Sequence, residues 1–397
     1  MSESAATAGV TAPARPPFAL LVGLTSASPF AMNAMLPALP AITAYFHTTY
    51  AVSQLALTVA LLAFGAAQLV LGPLSDRFGR RPVMLWGFSL FVVGSLIAAM
   101  AMSPAMLILG RAVQAAGGAA GLVLGRTIVH DINGRGGAAS AIGYLTMAMA
   151  LSQMLAPWVG GTLEHSLGWR TIFWLLAAAS IVLFWFTLRH LHETNDPGLA
   201  PPHTRSLAAD ALTLMRRPSF WALTGNLSFA SGIFFAFAGN APYVVQTLMG
   251  RTASEYGLYC ILPALGYSLG NFLSGRYAGR IGQRAMILGG MGVAGAGIAT
   301  FWLLYGWQHP TALFAPMTLV ALSNGMTMPN AMVAAMNIDM RLSGAASGIC
   351  GAAQMLTGAV LGFIVSLTMA ASSLPMLVAM TVSFLLALAC ALVPLKE

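Results

Sequence analysis

One arginine, Arg111, lies inside a long apolar segment of the chain, several residues from its end. An unpaired guanidinium in hydrocarbon is costly, so we expect Arg111 to face a water-filled interior. Gln114 and Gly118 follow at i+3 and i+7 on the same helix face, and the Gln114 amide can orient either Arg111 or a bound molecule. The structural alternative is a bond from Arg111 to backbone carbonyls of predicted helix one or five.

The acidic residues avoid the centres of the apolar segments, and each falls in a predicted loop, tail or helix end. The ten are Glu3, Asp76, Asp131, Glu164, Glu193, Asp196, Asp210, Glu255, Asp339 and Glu397. The seven histidines also avoid the helix centres. The usual intramembrane proton carriers are therefore missing, and no acid/base pair or metal cluster is visible at membrane depth for an enzyme.

Amide and aromatic side chains recur at helical spacing in several apolar segments, which predicts an uncharged binding cavity. Ser26 and Asn33 share one face of the first segment, opposite residues of the seventh and eleventh. Each polar residue taken alone is more often explained by helix packing or by a bond within the helix. The full set of cavity candidates is Ser26, Asn33, Arg111, Gln114, Asn226, Phe229, Ile233, Phe237, Asn240 and Gln354.

The fifth apolar segment carries small residues along one side. Gln153, Pro157, Gly160 and Gly161 lie near one face. Glycines let another helix approach closely, and a proline inside a helix removes one backbone hydrogen bond and bends the helix. This face is predicted either to gate the protein or simply to pack tightly.

A charged hairpin, Gly72-Pro-Leu-Ser-Asp-Arg-Phe-Gly-Arg-Arg81, separates two apolar segments, and a degraded copy lies between two others at 275–284. Gly72 and Gly79 permit close approach and a tight turn, while Arg77, Arg80 and Arg81 hold the loop at the inner surface. The carboxylate of Asp76 can lie against the N-terminus of a neighbouring helix, with the segment after Ser343 as candidate. We therefore predict a conformational latch; anchoring of the turn alone is the alternative.

The composition indicates a membrane protein, because 58% of the residues are hydrophobic and only 7% are charged. Windows of about 20 apolar residues predict twelve transmembrane helices, six in each half. The first six run near 18–40, 51–73, 82–102, 105–127, 139–163 and 169–189. The second six run near 218–244, 254–276, 284–306, 311–335, 345–368 and 373–394.

The predicted organisation has four parts: a cytoplasmic tail at 1–17, a six-helix bundle at 18–189, a cytoplasmic linker at 190–217 and a second bundle at 218–397. Placing both termini in the cytoplasm leaves only Arg170 and Arg251 among the loop arginines on the outer side. The net charge of +8 is thus a topology signal and does not indicate nucleic acid binding. We expect no cofactor, since the three cysteines are far apart and His190 and His192 in the linker give only a weak metal motif.

Several motifs carry a resemblance to a known family. The hairpin resembles the signature of the major facilitator superfamily. Three further stretches resemble its twelve-helix drug:proton antiporter branch, especially the bicyclomycin-resistance (Bcr/CflA-type) group. They are Leu36-Pro-Ala-Leu-Pro-Ala-Ile42, Gly110-Arg-Ala-Val-Gln-Ala-Ala-Gly-Gly118 continuing through Arg126 to Asp131, and Ala156-Pro-Trp-Val-Gly-Gly161.

The resemblance implies an all-α fold of two pseudo-symmetric six-helix bundles that rock about a central site. It also implies a proton-coupling role for Arg111 and packing of predicted helix five against helix eight on the outer side. One departure matters: the family commonly has Asp three residues before the Leu-Pro-Ala-Leu-Pro run, where this chain has Asn33. An Asn side chain does not exchange a proton near neutral pH.

These observations predict a monomeric alternating-access exporter of small organic molecules, including drugs, in the bacterial inner membrane. Protons are a possible coupling ion, but Asn33 favours their absence at that position. The alternative is a carrier for an endogenous anionic metabolite or siderophore-like compound that is not driven by proton antiport. In that alternative Arg111 would be the charge partner of the substrate.

Overall fold

The computed structural model describes residues 16–194, 213–339, 342–369 and 372–393. Helices make up almost all of these residues. In chain order they are α1 Phe18–Ala34, α2 Leu39–Tyr45, α3 Tyr50–Phe78, α4 Arg80–Ala99, α5 Pro104–Leu167, α6 Arg170–His190, α7 Pro218–Tyr243, α8 Ala253–Tyr259, α9 Ile261–Ile281, α10 Gln283–Leu303, α11 Thr311–Asn337, α12 Ser343–Thr368 and α13 Leu374–Leu392.

Within the described residues, nine helical segments are long and apolar enough to cross a membrane. They correspond to nine of the twelve predicted helices. The other three predicted helices correspond to the second part of α5, to α8 with α9, and to α11. Polar side chains such as Asn271 in α9 and Asn324 in α11 lower the hydropathy of the last two.

The first predicted helix is interrupted. It was expected to run through residues 18–40, but α1 ends at Ala34 and a 3-10 turn spans Leu36–Ala38 before α2 begins. Pro37 and Pro40 explain the break, because each lacks the N–H that would continue the helical hydrogen bonds. Pro29 lies inside α1, where the helix continues past it.

Helix α3 corresponds to the second predicted helix and extends beyond its predicted end at residue 73. Pro73 lies within α3, which continues to Phe78, so most of the charged hairpin is helical. Only Gly79, with φ 95°, separates α3 from α4. This left-handed backbone favours glycine, and Gly282, with φ 86°, separates α9 from α10 in the second copy.

Helix α5 extends without a break over two predicted helices, 105–127 and 139–163. In a straight helix Gly160 would lie roughly 70 Å from Arg111. Yet the Arg111 guanidinium is 3.4 Å from the carbonyl oxygen of Ala31, and Gly160 packs against Ala34 three residues further along α1. The chain therefore reverses direction within α5, and the two predicted spans lie beside the same helix.

The eighth predicted helix is also divided. A break at Cys260 separates α8 from α9, where one helix was expected over 254–276. Pro263 follows three residues later, and its ring opposes the carbonyl of the residue four before it, Tyr259. After α7, a π-helical turn over Val244–Leu248 leads toward α8.

The buried apolar residues form three clusters. The outer core, on the side of the predicted extracellular loops, joins both halves and includes Leu36, Leu107, Phe237 and Phe314. On the inner side the clusters are separate. The N-terminal inner core contains Leu21, Met84, Phe88, Leu124 and Ile128, and the C-terminal inner core contains Phe220, Leu223, Ile287, Ala331 and Leu342. The two halves thus share a core at one end only.

Parts of several predictions lie outside the described residues. These are residues 1–15 of the N-terminal tail, 195–212 of the linker and 394–397 at the C-terminus. The side chain of Ser343, which begins α12, is also outside the description.

Candidate functional site

A cavity of about 250 Å³ lies between the two halves. The N-terminal half contributes α1 and the second part of α5, and the C-terminal half contributes α7, α8, α9, α11 and α12. Aromatic rings form much of its wall: Phe234, Phe235, Phe237, Tyr256, Tyr267 and Phe314. A predominantly apolar wall with a few polar groups is typical of sites for small organic molecules.

Five predicted residues line this cavity: Asn33, Gln153, Pro157, Phe237 and Gln354. Asn33 donates from Nδ2 to the carbonyl oxygen of Pro29 at 2.8 Å. The Oε1 of Gln354 accepts a hydrogen bond from the Ser231 hydroxyl at 3.0 Å. The Phe237 ring lies edge-on to Phe314, with centroids 5.5 Å apart.

Arg111 and Gln114 are not part of the cavity wall. Arg111 is 1% exposed, contrary to the expectation that it faces water. Its Nη1 donates to Gln114 Oε1 and to the Ala31 carbonyl, and Gln114 donates to the Ser95 hydroxyl at 2.7 Å. Helical periodicity predicted the interior face of α5, but at this depth that face meets α1 and α4. Arg111 thus bonds to a backbone carbonyl of the first predicted helix, which is the structural alternative to a role facing water.

The remaining cavity candidates are packed among helices. Ser26 is buried in α1, and Phe229 and Ile233 do not line the cavity. Asn226 donates to the Ala387 carbonyl of α13 at 3.0 Å. Asn240 donates to the Gly362 carbonyl of α12 at 3.2 Å. Both bonds lie inside the C-terminal half. The polar side of α7 contacts α11, α12 and α13 as well as the cavity, so only some of its polar residues line the cavity.

Other cavity residues were absent from the sequence prediction. Tyr256 and Cys260 lie around the α8–α9 break, Tyr267 and Ser268 follow on α9, and Asn324 lies on α11. The Asn324 amide is 3.4 Å from the Ala230 carbonyl of α7. The low hydropathy of α9 and α11 was the available signal, since polar positions in a membrane helix tend to face the interior.

The cavity wall is uncharged. Among the described residues that line it there is no Asp, Glu, His, Lys or Arg. Its polar groups are amides, hydroxyls and a thiol, which can orient a neutral molecule by hydrogen bonding. The described cavity wall therefore has no carboxylate that could bind and release a proton.

The outer ends of the halves are in direct contact. Tyr50 donates its hydroxyl to the Gly239 carbonyl at 2.5 Å, and Gln246 donates to the Pro37 carbonyl at 2.8 Å. Gly161 of α5 lies so close to α8 that an added Cβ would overlap the Ala253 carbonyl oxygen. These contacts close the outer end of the cavity.

The charged hairpin is tied to its own half by a polar network. The Arg80 guanidinium pairs with Asp76, donates to the Ser75 hydroxyl at 2.5 Å and lies 3.4 Å from the Asp131 carboxylate of α5. Arg81 donates to the Leu188 carbonyl at 3.0 Å. Arg77 stacks over Phe78, and a Cβ at Gly72 would meet open space.

Glu193 is a further member of this network that the sequence did not reveal. Its carboxylate accepts backbone N–H groups of Arg80 at 2.7 Å and Arg81 at 3.2 Å. These donors are at the N-terminus of α4, where unpaired N–H groups and the helix dipole favour a negative charge. The carboxylate occupies the space beside Gly79 where a side chain would otherwise lie. The start of the linker thus caps the hairpin.

The apolar helices, the two halves and the central cavity are features of a membrane transporter. The chain matches the Major Facilitator Superfamily over residues 21–362 and belongs to that family. The assignment made from the hairpin and helix motifs is confirmed. The chain is accordingly a transporter and not an enzyme.

Relatives within the family include proteins named for drug resistance. A chloramphenicol resistance protein of Pseudomonas aeruginosa is 31% identical over 77% of this chain and 71% of its own length. Multidrug resistance protein D of Escherichia coli is 27% identical over 86% of each chain. A bicyclomycin resistance protein homolog of Haemophilus influenzae is 25% identical over 91% of this chain and 92% of its own.

A solved structure has the same fold. A bacterial homolog of the human lysosomal transporter Spinster, in an inward-facing and occupied conformation, superposes with a TM-score of 0.74. The two share 14% identity, and the match covers 94% of each chain. Two pseudo-symmetric six-helix bundles, as predicted, are the architecture of this fold.

Proposed function

We propose that this protein exports small organic molecules, including drugs, across the bacterial inner membrane by alternating access. The observation that carries the proposal is an uncharged cavity between two halves that share a core on the outer side and have separate cores on the inner side. Residues 18–189 and 218–397 are the two moving bodies, and both termini lie in the cytoplasm. A single chain contains both bodies, which suits a monomer.

The substrate class follows from the cavity wall. Phe234, Phe237 and Phe314 suit an aromatic or apolar body, while Asn33 and Gln354 can bond neutral polar groups. Relatives named for resistance to chloramphenicol and for multidrug resistance support the same class. Chloramphenicol is therefore the first compound to test.

We further propose that Asn33 makes export weakly dependent on a proton gradient. Asn33 lines the cavity at the position where the family commonly has Asp, and its amide is bonded to Pro29 within α1. An Asp at this position would have a carboxylate at a buried cavity wall, where desolvation favours the protonated form. Such a group could bind a proton on one side and release it on the other.

The test uses proteoliposomes that contain the protein and chloramphenicol, with and without an imposed pH gradient. We expect wild-type transport to change little with the gradient, and Asn33→Asp to show gradient-driven transport. Gln153→Asp serves as a control, since it adds a carboxylate at another part of the same cavity wall. Strong gradient-driven transport by the wild type would contradict the role of Asn33 and direct attention to Asp131, Glu164 or Asp339. No chloramphenicol transport under any condition would count against the export proposal.

The hairpin and the small-residue face of α5 are proposed as the moving contacts. Asp76 with Gly72, Arg77, Gly79, Arg80 and Arg81 would form the inner latch. Gly160 and Gly161 would let α1 and α8 approach α5 when the outer side closes, and this role is supported by their present contacts. Pro157 and Gln153 connect that gate to the cavity wall.

A further inference from the structure

Arg126 has an unusual position on α5. It is exposed, although it follows Ala115, Ala119 and Leu122 on the same helix face at i+11, i+7 and i+4. Ala115 and Ala119 are 3% and 0% exposed and belong to the outer core shared by the halves. This face is therefore directed into the protein rather than toward lipid. At Arg126 this face becomes exposed, so the side chain reaches a partly enclosed space on the inner side.

Tyr267 of α9 lies near Arg126 from the opposite half. Its phenol is close enough to interact electrostatically with the guanidinium. Tyr267 also lines the central cavity, together with its neighbour Ser268. Beside Arg126, Gly125 packs against Thr25 of α1, which fixes this part of α5 in the N-terminal half. Arg126 itself does not line the cavity, and its interaction with Tyr267 places it beside the cavity, toward the inner side.

Arg126 combines two features: it lacks a carboxylate partner, as the described Arg276, Arg280 and Arg284 also do, and it lies on a helix face directed into the protein. Arg80, Arg217 and Arg251 each pair with a carboxylate. Among the residues that the structure describes, Arg126 has neither an ion pair nor a hydrogen bond. A basic residue that served topology alone would be equally effective on the lipid face of α5. A cation without a counter-charge in a partly enclosed space attracts anions more strongly than one in open water.

We propose that Arg126, with Tyr267 opposite, binds the carboxylate of an organic anion whose aromatic or apolar body occupies the central cavity. The guanidinium matches a carboxylate through two parallel N–H donors, and the phenol can donate a third hydrogen bond. Phe234 and Phe314 would contact the body of the substrate. This inference rests on the proposed export function and adds organic anions to the neutral molecules that the cavity wall suits. It also assigns to Arg126 the charge-partner role that the sequence suggested for Arg111.

The test compares two fluorescent ligands with the same ring system, 1-naphthaleneacetate and 1-naphthaleneacetamide. Binding is measured by fluorescence titration of the full chain in lipid nanodiscs. We expect the wild type to bind the acid at least about tenfold more tightly than the amide, which corresponds to one charge-assisted hydrogen-bonding contact. Arg126→Gln should remove this preference and leave the affinity for the amide unchanged. Arg126→Lys should keep part of the preference, because it retains the charge without the planar fork.

Arg216→Gln is the matched control, because it removes one exposed inner-side arginine that lies away from the cavity. It should keep the full preference for the acid, and retained amide binding in each variant shows that the site is folded. Equal wild-type affinities for acid and amide, or an acid preference that survives Arg126→Gln, would overturn the inference. The export proposal is judged separately by chloramphenicol transport, so either can fail while the other is supported.

Discussion

The outer and inner ends of this protein are held together in different ways. At the outer end, side chains from both halves form one core, and Tyr50 and Gln246 donate hydrogen bonds across the boundary. At the inner end the apolar residues divide into two clusters, one in each half. The same pair of bundles thus shares one buried core at the outer end and has separate cores at the inner end, although α3 and α12 stay in contact as far as Leu69 and Gly348.

The inner end shows how separation is made stable. The first hairpin is bonded within the N-terminal half: Arg80 pairs with Asp76 and Asp131, and Glu193 caps the N-terminus of α4. In the second hairpin, a Cβ at Gly275 or Gly279 would meet open space. The outer end instead depends on glycines that bring backbones of different helices into contact. Closure there is steric and close-packed, whereas the inner end has charged groups that can exchange partners.

The largest effect is expected from Gly161→Ala. The added methyl would overlap the Ala253 carbonyl of α8, so the outer ends could not close. We expect chloramphenicol transport to be almost abolished and the outward-facing population to rise. Gly292→Ala on α10 is the control, since its Cβ would meet no atom within 4 Å. Normal transport by the Gly161 variant would show that this contact is not needed for closure.

A smaller effect is expected at the inner end from Asp76→Asn. If Asp76 contacts the N-terminus of α12 when the inner side closes, neutralisation removes about 0.3–2 kcal/mol from the outward-facing state. The inward-facing population should then rise by a factor of about two to thirty, as measured by accessibility labelling from each side. Asp339→Asn is the control. It removes an inner-side carboxylate that pairs with Arg217 inside the C-terminal half, so it should change the ratio less. An unchanged ratio in the Asp76 variant would leave the hairpin as a turn anchor only.

The smallest effect is expected from Tyr50→Phe. The change removes one hydrogen bond between the halves, worth about 1 kcal/mol, while the ring and its packing against Tyr243 remain. The outward-facing population should rise about fivefold. Tyr45→Phe is the control, because the Tyr45 ring contacts Phe46 and Trp169 within its own half. If both substitutions shift the population equally, the Tyr50 bond has no specific role at the outer end.

The sequence predicted the helices well because hydrophobic length is a local property. It also located cavity residues on α1, α7 and α12, namely Asn33, Phe237 and Gln354. The break at Cys260 was missed because Pro263 acts on a carbonyl four residues earlier. The chain also reverses direction within α5 without a break in the helix, and the local sequence contains little that indicates this reversal.

The position of the arginines shows where local patterns were insufficient. Periodicity placed Arg111 on the interior face of α5, and the structure has it there. Whether that face meets another helix or water depends on the depth at which the two halves diverge, which is a property of the whole fold. For the same reason the sequence did not indicate that Glu193, more than a hundred residues away, caps the helix that begins at Arg80.

The most direct test of alternating access measures two distances in the same protein. Spin labels at Phe78 and Ile281 report the inner ends, and labels at Met102 and Leu303 report the outer ends; all four positions are well exposed. Addition of chloramphenicol should increase the population with a shorter inner distance and, to the same extent, the population with a longer outer distance. Distances that both stay constant, or that both change in the same direction, in a protein that transports chloramphenicol would contradict the account.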